Sequence, residues 1–261
     1  MNVGRMKGCK KCLLISIILL ILIGESAGTA NFVSIEIHYV MDGGKTLYVG
    51  GNGEGNYTHI QDAINDASDG DTIFVYSGTY YENIVINKSI NLIGENAKAT
   101  IIDGMKKGKV IFIITSNISV CNFTIRNGTI GIGNSRWHDN LEKITIENNI
   151  IVDNIYEGIS LWWSDHCVIY GNTVSNDTWG ICLYGSYFNI VINNNLMKNE
   201  ENAHIYYWSD VYLFWTNRFI RNYWDNWRIP IPKPIVAFFY PIYPLIQFDW
   251  MPRLFPYRGG R

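Results

Sequence analysis

Four segments decide the fold: Ile144-Thr-Ile-Glu-Asn-Asn149, Cys167-Val-Ile-Tyr-Gly-Asn172, Ile190-Val-Ile-Asn-Asn-Asn195 and Tyr212-Leu-Phe-Trp-Thr-Asn217. Their terminal Asn residues are spaced 23, 23 and 22 apart. Ile118 to Asn122 reads as an earlier, shorter copy. A second element recurs out of phase, as Gly158-Ile-Ser-Leu161, Gly180-Ile-Cys-Leu183 and, more loosely, His204-Ile-Tyr-Tyr207. Within each copy the apolar residues sit two apart, as on one face of a strand. Strands this short cannot bury an apolar face alone. A period of 22 to 24 residues holds one coil of a β-solenoid, in which each strand pairs with its copies above and below. The expected fold is therefore all-β, a right-handed parallel β-helix of six or seven coils over residues 71–222. On this alignment Ile146, Ile169, Ile192 and Phe214 form one internal stack, and Asn149, Asn172, Asn195 and Asn217 form a structural ladder at a turn. Asn suits such a place because it tolerates left-handed backbone and its amide can bond the next coil.

A solenoid needs its ends covered. Ile60, Ala63, Ile64 and Ala67 have helical spacing, Thr58 and Gln61 match a capping box, and Gly70 suits a helix stop. Residues 31–70 are thus expected to carry an N-terminal capping helix. All seven prolines lie between 230 and 256. Proline is barred from central strand positions, so residues 223–261 are expected to leave the solenoid as an aromatic, proline-rich cap or tail.

The first thirty residues read as a secretory signal peptide. Arg5, Lys7, Lys10 and Lys11 precede an apolar run from Leu13 to Gly24, and Gly28 and Ala30 suit cleavage before Asn31. The run is shorter than the roughly twenty residues a span requires, so membrane contact is expected only if the segment stays uncleaved. The expected location is secreted or cell-surface. Cys121, Cys167 and Cys182 remain after cleavage, an odd number that cannot pair fully within one chain. The net charge of −2 and the lack of a basic run argue against nucleic acid.

Further motifs carry a resemblance. Tyr57-Thr-His-Ile-Gln-Asp-Ala-Ile64, Asp69-Gly-Asp-Thr-Ile-Phe-Val75, Gly78-Thr-Tyr-Tyr-Glu82, Ser89-Ile-Asn-Leu-Ile-Gly94 and Thr100-Ile-Ile-Asp-Gly104, followed by the Asn repeats, Asn222-Tyr-Trp-Asp225 and Phe248-Asp-Trp250, resemble NosD-like β-helix repeat proteins of the pectin-lyase-like superfamily, of the archaeal cell-surface type. The resemblance covers residues 45 to 252 and implies the fold more than an activity.

Enzymes of that superfamily supply patterns to compare. Gly78-Thr-Tyr-Tyr-Glu82 resembles the first motif of pectin methylesterases, but no Gln-Asp follows on a later coil. The Asp pair and Gly-His-Gly of polygalacturonases are absent. Trp163-Ser-Asp-His166 resembles a pectate lyase motif whose Asp helps bind Ca²⁺, which makes Asp165 and His166 candidates. Arg228-Ile-Pro230 partly matches that family's base segment. Ca²⁺ is implied only under this lyase alternative; otherwise no cofactor and no metal is expected. The NosD name derives from a copper-maturation protein, yet His38, His59, His138, His166 and His204 are scattered through the chain. Six Asn-x-Ser/Thr sequons, including Asn122, permit glycosylation, and Asn122 is expected in the ladder.

Parity gives the leading functional expectation. If Ile159 and Leu161 point inward, Trp162 points out. Tyr184 and then Tyr206 or Trp208 follow at the same outward position. This row is expected to bind a polysaccharide or cell-surface glycan, each ring stacking on a pyranose face. The competing structural reading is that the tail folds over these rings. The sequence thus reads as an exported surface β-helix protein, carbohydrate-binding or structural, more clearly than as an enzyme, with a calcium-dependent polysaccharide (pectate-like) lyase as the alternative.

Overall fold

The computed structural model describes residues 21–23, 31–33, 44–136, 140–207, 217–239 and 243–257. The chain divides into two units, residues 1–40 and 41–261. In the first, Ile21–Ile23 pairs antiparallel with Asn31–Val33; the rest of the expected signal peptide lies outside the described residues. The second unit is the solenoid.

Its coils turn at residues with left-handed backbone. Asn122, Asn148, Gly171, Asn193 and Arg221 have φ between 53 and 66° and end the strands of a first sheet. Asn127, Asp153, Asn176 and Lys198 turn the chain again, at φ of 56 to 60°, after a second sheet. Lys143, His166 and Phe188 close successive coils at φ of 55 to 58°. Asn and Gly suit these places because αL backbone strains most other side chains.

Between the turns lie three stacks of parallel strands. The first sheet runs from Thr46–Val49 through Ile118–Cys121, Ile144–Glu147, Val168–Tyr170 and Ile190–Ile192 to Arg218–Ile220. The second runs from Gly78–Tyr80 to Tyr223–Trp224. The third starts at Ile84–Ile86 and lengthens into Glu157–Trp162, Trp179–Tyr184 and Glu201–Tyr207. Together they make a parallel β-solenoid of about seven coils. Its interior is a continuous stack of buried Ile, Val and Leu, each of which contributes roughly 1.5–3 kcal/mol on burial.

One internal column is Ile146, Ile169, Val191 and Phe219, in register on successive strands. This corrects the expected column in two places. Ile192 pairs with Tyr170 and Ile220 instead, and Phe214 lies outside the described residues. A one-residue slip inverts a strand's faces, and the run Asn193-Asn194-Asn195 gave no anchor against that slip.

The same slip corrects the ladder. Its members are Asn149, Asn172, Asn194 and Asn222, all buried. Each follows a left-handed corner residue rather than adopting that conformation itself. Asn172 Oδ1 accepts the backbone N–H of Asn149 at 3.0 Å and its side-chain amide at 3.2 Å. Asn194 does the same for Asn172, and Asn222 for Asn194. Asn195 is not a rung: its amide faces outward to Thr173 and to the backbone of Tyr257. Asn217 belongs to another ladder on another corner, accepting the N–H of Asn189, whose own Oδ1 accepts that of Cys167. A third ladder joins Asn154, Asp177 and Asn199. Asn122 is a corner residue at φ 64°, not a rung.

The glycine of the second repeat element also has a physical cause. A Cβ on Gly158 would lie 2.5 Å from Val174 Cγ1, and one on Gly180 would lie 2.5 Å from the carbonyl oxygen of Asn202. Side chains do not fit where these bends press on the next coil.

At the N-terminal end, helix α1 (Ile60–Asp66) packs on the first strands through Ile60, Ala63 and Ile64. Thr58 is not its cap. The N-cap is His59, without a side-chain cap bond, and the first helical amides point at a carboxylate brought in by the fold. Glu82 Oε1 accepts Ile60 N–H at 2.9 Å, and its Oε2 accepts Gln61 N–H at 3.0 Å. Gln61 in turn uses its side-chain amide to bond Val85 on the first strand of the third sheet. This satisfies a sheet edge that would otherwise be bare.

The C-terminal segment differs from expectation: it continues the stack. Lys233–Phe239 adds to the third sheet beside Glu201–Tyr207, with Tyr206 opposite Phe238. Tyr243–Asp249 adds to the first sheet, with Phe219 opposite Asp249. The two new strands pair antiparallel with each other, so this hairpin joins two sheets and leaves neither edge bare. Pro234 precedes the residues that pair with Glu201–Tyr207, Ala237 to Phe239, and within the hairpin Pro234 stands opposite Phe248 and Pro244 opposite Phe238.

Candidate functional site: the outer side of the third sheet

The third sheet carries the longest strands, so its outer side offers the broadest surface. Ile159, Leu161, Ile181, Leu183 and Ile205 are buried in the core, and the residues between them face out. In register, Ser160, Cys182 and His204 form one outward column, and Trp162, Tyr184, Tyr206 and Phe238 form the next. Trp208, the other candidate, lies outside the described residues.

Two rings of the aromatic column cover each other. Trp162 and Tyr184 stack on one another with centroids 4.1 Å apart and planes 19° apart. The Arg136 guanidinium also lies over the Trp162 ring, 5.2 Å from its centre. His204 lies 5.8 Å from Tyr184 and 5.6 Å from Phe238. One face of each of Trp162 and Tyr184 is thus covered by the other, so that face is not open to a pyranose. The rings also lean over the floor of small residues. Ser160 and Cys182 are 1% and 0% exposed. Trp162 Nε1 donates to Ser160 Oγ at 3.2 Å, and the Tyr184 hydroxyl donates to Glu157 at 2.9 Å. Burial and the Glu157 carboxylate hold the Tyr184 hydroxyl protonated well above the usual tyrosine range, and burial raises the Cys182 thiol likewise.

Polar groups flank the column. Lys109, Glu157, Trp179 and Glu201 follow one another in register, by way of Ile130. His204 Nδ1 lies 3.1 Å from Glu201 Oε2. Lys109 Nζ sits 4.7 Å from the Phe112 ring; desolvation and then the nearby Arg136 charge lower its pKa, against the pull of Glu157. Sequence reading did not single out these flanking groups. Part of their signal was present, since Glu157 and Trp179 directly precede the repeated glycines. Phe238 was hidden by the assignment of the tail outside the solenoid.

The described end of the tail covers a different region. Tyr257 bonds Asn195 through its backbone and meets the Tyr170 hydroxyl at 3.0 Å.

Asp165, His166 and Arg228 are not brought together. Asp165 lies at the corner between the third and first sheets, where its Oδ1 accepts the Tyr187 N–H at 2.7 Å. Burial raises its pKa against that bond. His166 is exposed and stacked on Phe188, with centroids 5.3 Å apart. Arg228 is exposed at the corner between the second and third sheets of the last coil, its Nε donating to the Asp225 carbonyl at 3.4 Å. Calcium takes six to eight oxygen ligands. Among the described residues the acidic neighbour in register with Asp165 is Glu142, and no three His, Cys, Asp or Glu side chains converge there.

Residues 44–226 match the profile of the NosD family, described as periplasmic copper-binding protein (NosD). The chain belongs to the NosD family. A cell surface glycoprotein of Methanothermus fervidus is 32% identical over 163 residues, which are 58% of this chain and 26% of that protein. The chain thus spans about a quarter of that relative's length. Among solved structures, an alginate lyase from Paenibacillus sp. str. FPU-7 is similar at 12% identity and a TM-score of 0.48, covering 70% of this chain and 88% of that one. A carrot pectin methylesterase is similar at 13% identity and a TM-score of 0.47, covering 70% and 64%.

The family description raises copper, which selects clustered His, Met or Cys. His59, His166 and His204 stand at three separate places in the solenoid: before the helix, at a corner and on the third sheet. Cys121, Cys167 and Cys182 are buried and form no disulfide. Among the described residues no three His, Cys, Asp or Glu side chains converge on a point where a metal would sit. These residues do not fit a copper centre. Among the described residues, too, no helix is long and apolar enough to cross a membrane.

Proposed function

We propose that this NosD-family chain is an extracytoplasmic surface β-helix protein that engages glycan across the outer side of its third sheet. The carrying observation is the in-register column Trp162–Tyr184–Tyr206–Phe238, bordered by Arg136, Lys109, Glu157 and Glu201. Aromatic side chains follow one another there at the strand spacing of about 4.8 Å, with polar groups beside them. A polymer of sugar residues would meet one copy of the arrangement per coil. The leader-like N-terminus and the cell-surface naming of the relative support the location.

The test is affinity electrophoresis of the protein through a panel of neutral and acidic polysaccharides. Trp162→Ala and Arg136→Gln are each expected to weaken retention at least tenfold, with the melting temperature of the Arg136 variant unchanged. Retention untouched by either change, or no retention on any polysaccharide, overturns the proposal.

A further inference from the structure

The end of the solenoid carries a second concave surface, lined by residues other than those of the third-sheet column. There Arg221, Trp250, Arg253, Leu254 and Phe255 line an open cleft of about 550 Å³, a size within the roughly 300–1,000 Å³ of small-molecule sites. Trp250 and Phe255 are 61% and 77% exposed; the Trp250 ring meets Phe248 at a tilt, with centroids 5.4 Å apart, and leaves ring surface open here.

The cleft is held from beneath. Asp249 Oδ1 accepts the backbone N–H of Arg221 at 2.9 Å and that of Met251 at 3.2 Å, tying both sides of the cleft to one carboxylate. The Arg253 backbone is fixed by its N–H to the Asn222 carbonyl at 2.9 Å, and its guanidinium lies 5.3 Å from the Tyr257 ring. Among the described residues no carboxylate forms an ion pair with Arg221 or Arg253. Asp249 does not serve as a counter-ion: it is buried, with its oxygens directed at N–H donors.

We propose that this cleft binds the carboxylate of an acidic saccharide, with the guanidinium groups of Arg221 and Arg253 on the carboxylate and the Trp250 ring against the sugar. A guanidinium fork matches a planar carboxylate, and an exposed indole gives the apolar ring face that a pyranose can cover. The proposal rests on the glycan-engaging reading above but names a different site and one chemical class.

The experiment is calorimetric titration of the full-length chain with trigalacturonate, a sulfated trisaccharide and a neutral trisaccharide, at low and at physiological salt. Trigalacturonate is expected to bind more tightly than either of the others, and more weakly as salt rises. Arg253→Gln and Trp250→Ala are each expected to weaken it at least tenfold with unchanged melting temperature, and Arg136→Gln to leave it unchanged. Loss of trisaccharide binding in the Arg136 variant alone would place the ligand on the third sheet; this cleft would then fall while the wider reading stood. Equal binding of the neutral trisaccharide, preference for the sulfated one, or no binding of trigalacturonate overturns the cleft whatever long polymers do on the third sheet. Concentration-dependent self-association abolished by Trp250→Ala would make the surface a contact between copies, and would overturn it too.

Discussion

Asp249 ends the ladder that Asn222 extends: one of its oxygens, Oδ2, accepts the Asn222 backbone N–H at 2.9 Å and the Asn222 side-chain amide at 3.0 Å. Trp224 Nε1 donates to the same oxygen at 3.0 Å. Every rung before it both accepts from the previous coil and donates an amide. The last rung meets donors, so a carboxylate suits it and an amide does not.

Asp249→Asn is therefore expected to destabilise the protein despite its small change in shape. Either orientation of the new amide turns an NH₂ toward an N–H. The expected loss is about 1–3 kcal/mol, that of an unsatisfied buried polar group, read as a lower midpoint in urea.

Asp177 gives the stability a pH dependence. It is a buried rung between Asn154 and Asn199, and its Oδ2 has no hydrogen-bond partner among the described residues. Burial raises its pKa to about 7; Asp153 adds to that rise, and the hydrogen bond from the Asn154 backbone opposes it. A carboxyl whose folded pKa is raised binds its proton more tightly folded than unfolded. Its favourable contribution is complete below the ordinary carboxyl range and is lost as pH rises toward 7. Asp177→Asn is expected to match the parent near pH 4 and exceed it by roughly 1–3 kcal/mol at pH 8. Parallel melting curves from pH 4 to 8 for the two proteins would refute this.

Glu82 holds the start of helix α1 with both carboxylate oxygens. Glu82→Ala is expected to cost about 0.5–2 kcal/mol, the range for a lost N-terminal cap, and Glu82→Gln less. Hydrogen exchange at the Ile60 and Gln61 amides should quicken in the Ala variant well before global unfolding.

Gly158→Ala is expected to cost about 1–3 kcal/mol by overpacking, since its Cβ would meet Val174 Cγ1 at 2.5 Å and Asp177 Oδ2 at 2.7 Å. A melting temperature equal to the parent's would show that the bend gives way without cost.

The solenoid was legible because its signal repeats. Alternation two apart, a period near 23 and the Gly-Ile-x-Leu element place strands and coils without reference to partners distant in sequence. The parity of Trp162 and Tyr184 was legible for the same reason, because Ile159, Leu161, Ile181 and Leu183 flank them in alternation. The register at Asn194 was not, because three consecutive Asn residues are equivalent in a pattern and become distinct only when one meets Asn172 and Asn222.

The sequence by itself determined the local quantities of this protein: short alternating strands, corner residues that tolerate left-handed backbone, and a repeat that forces stacking. Tertiary structure decided everything that depends on which atoms meet across coils. It stacked the outward Trp162 and Tyr184 on each other, because strands one spacing apart bring these two rings to 4.1 Å. It also made the proline-rich segment part of the wall, because a hairpin can satisfy two open sheet edges at once. The Arg221–Arg253 cleft belongs to this second class. Its lining comes from residues about thirty apart in the chain, held in place by the inward-facing carboxylate of Asp249.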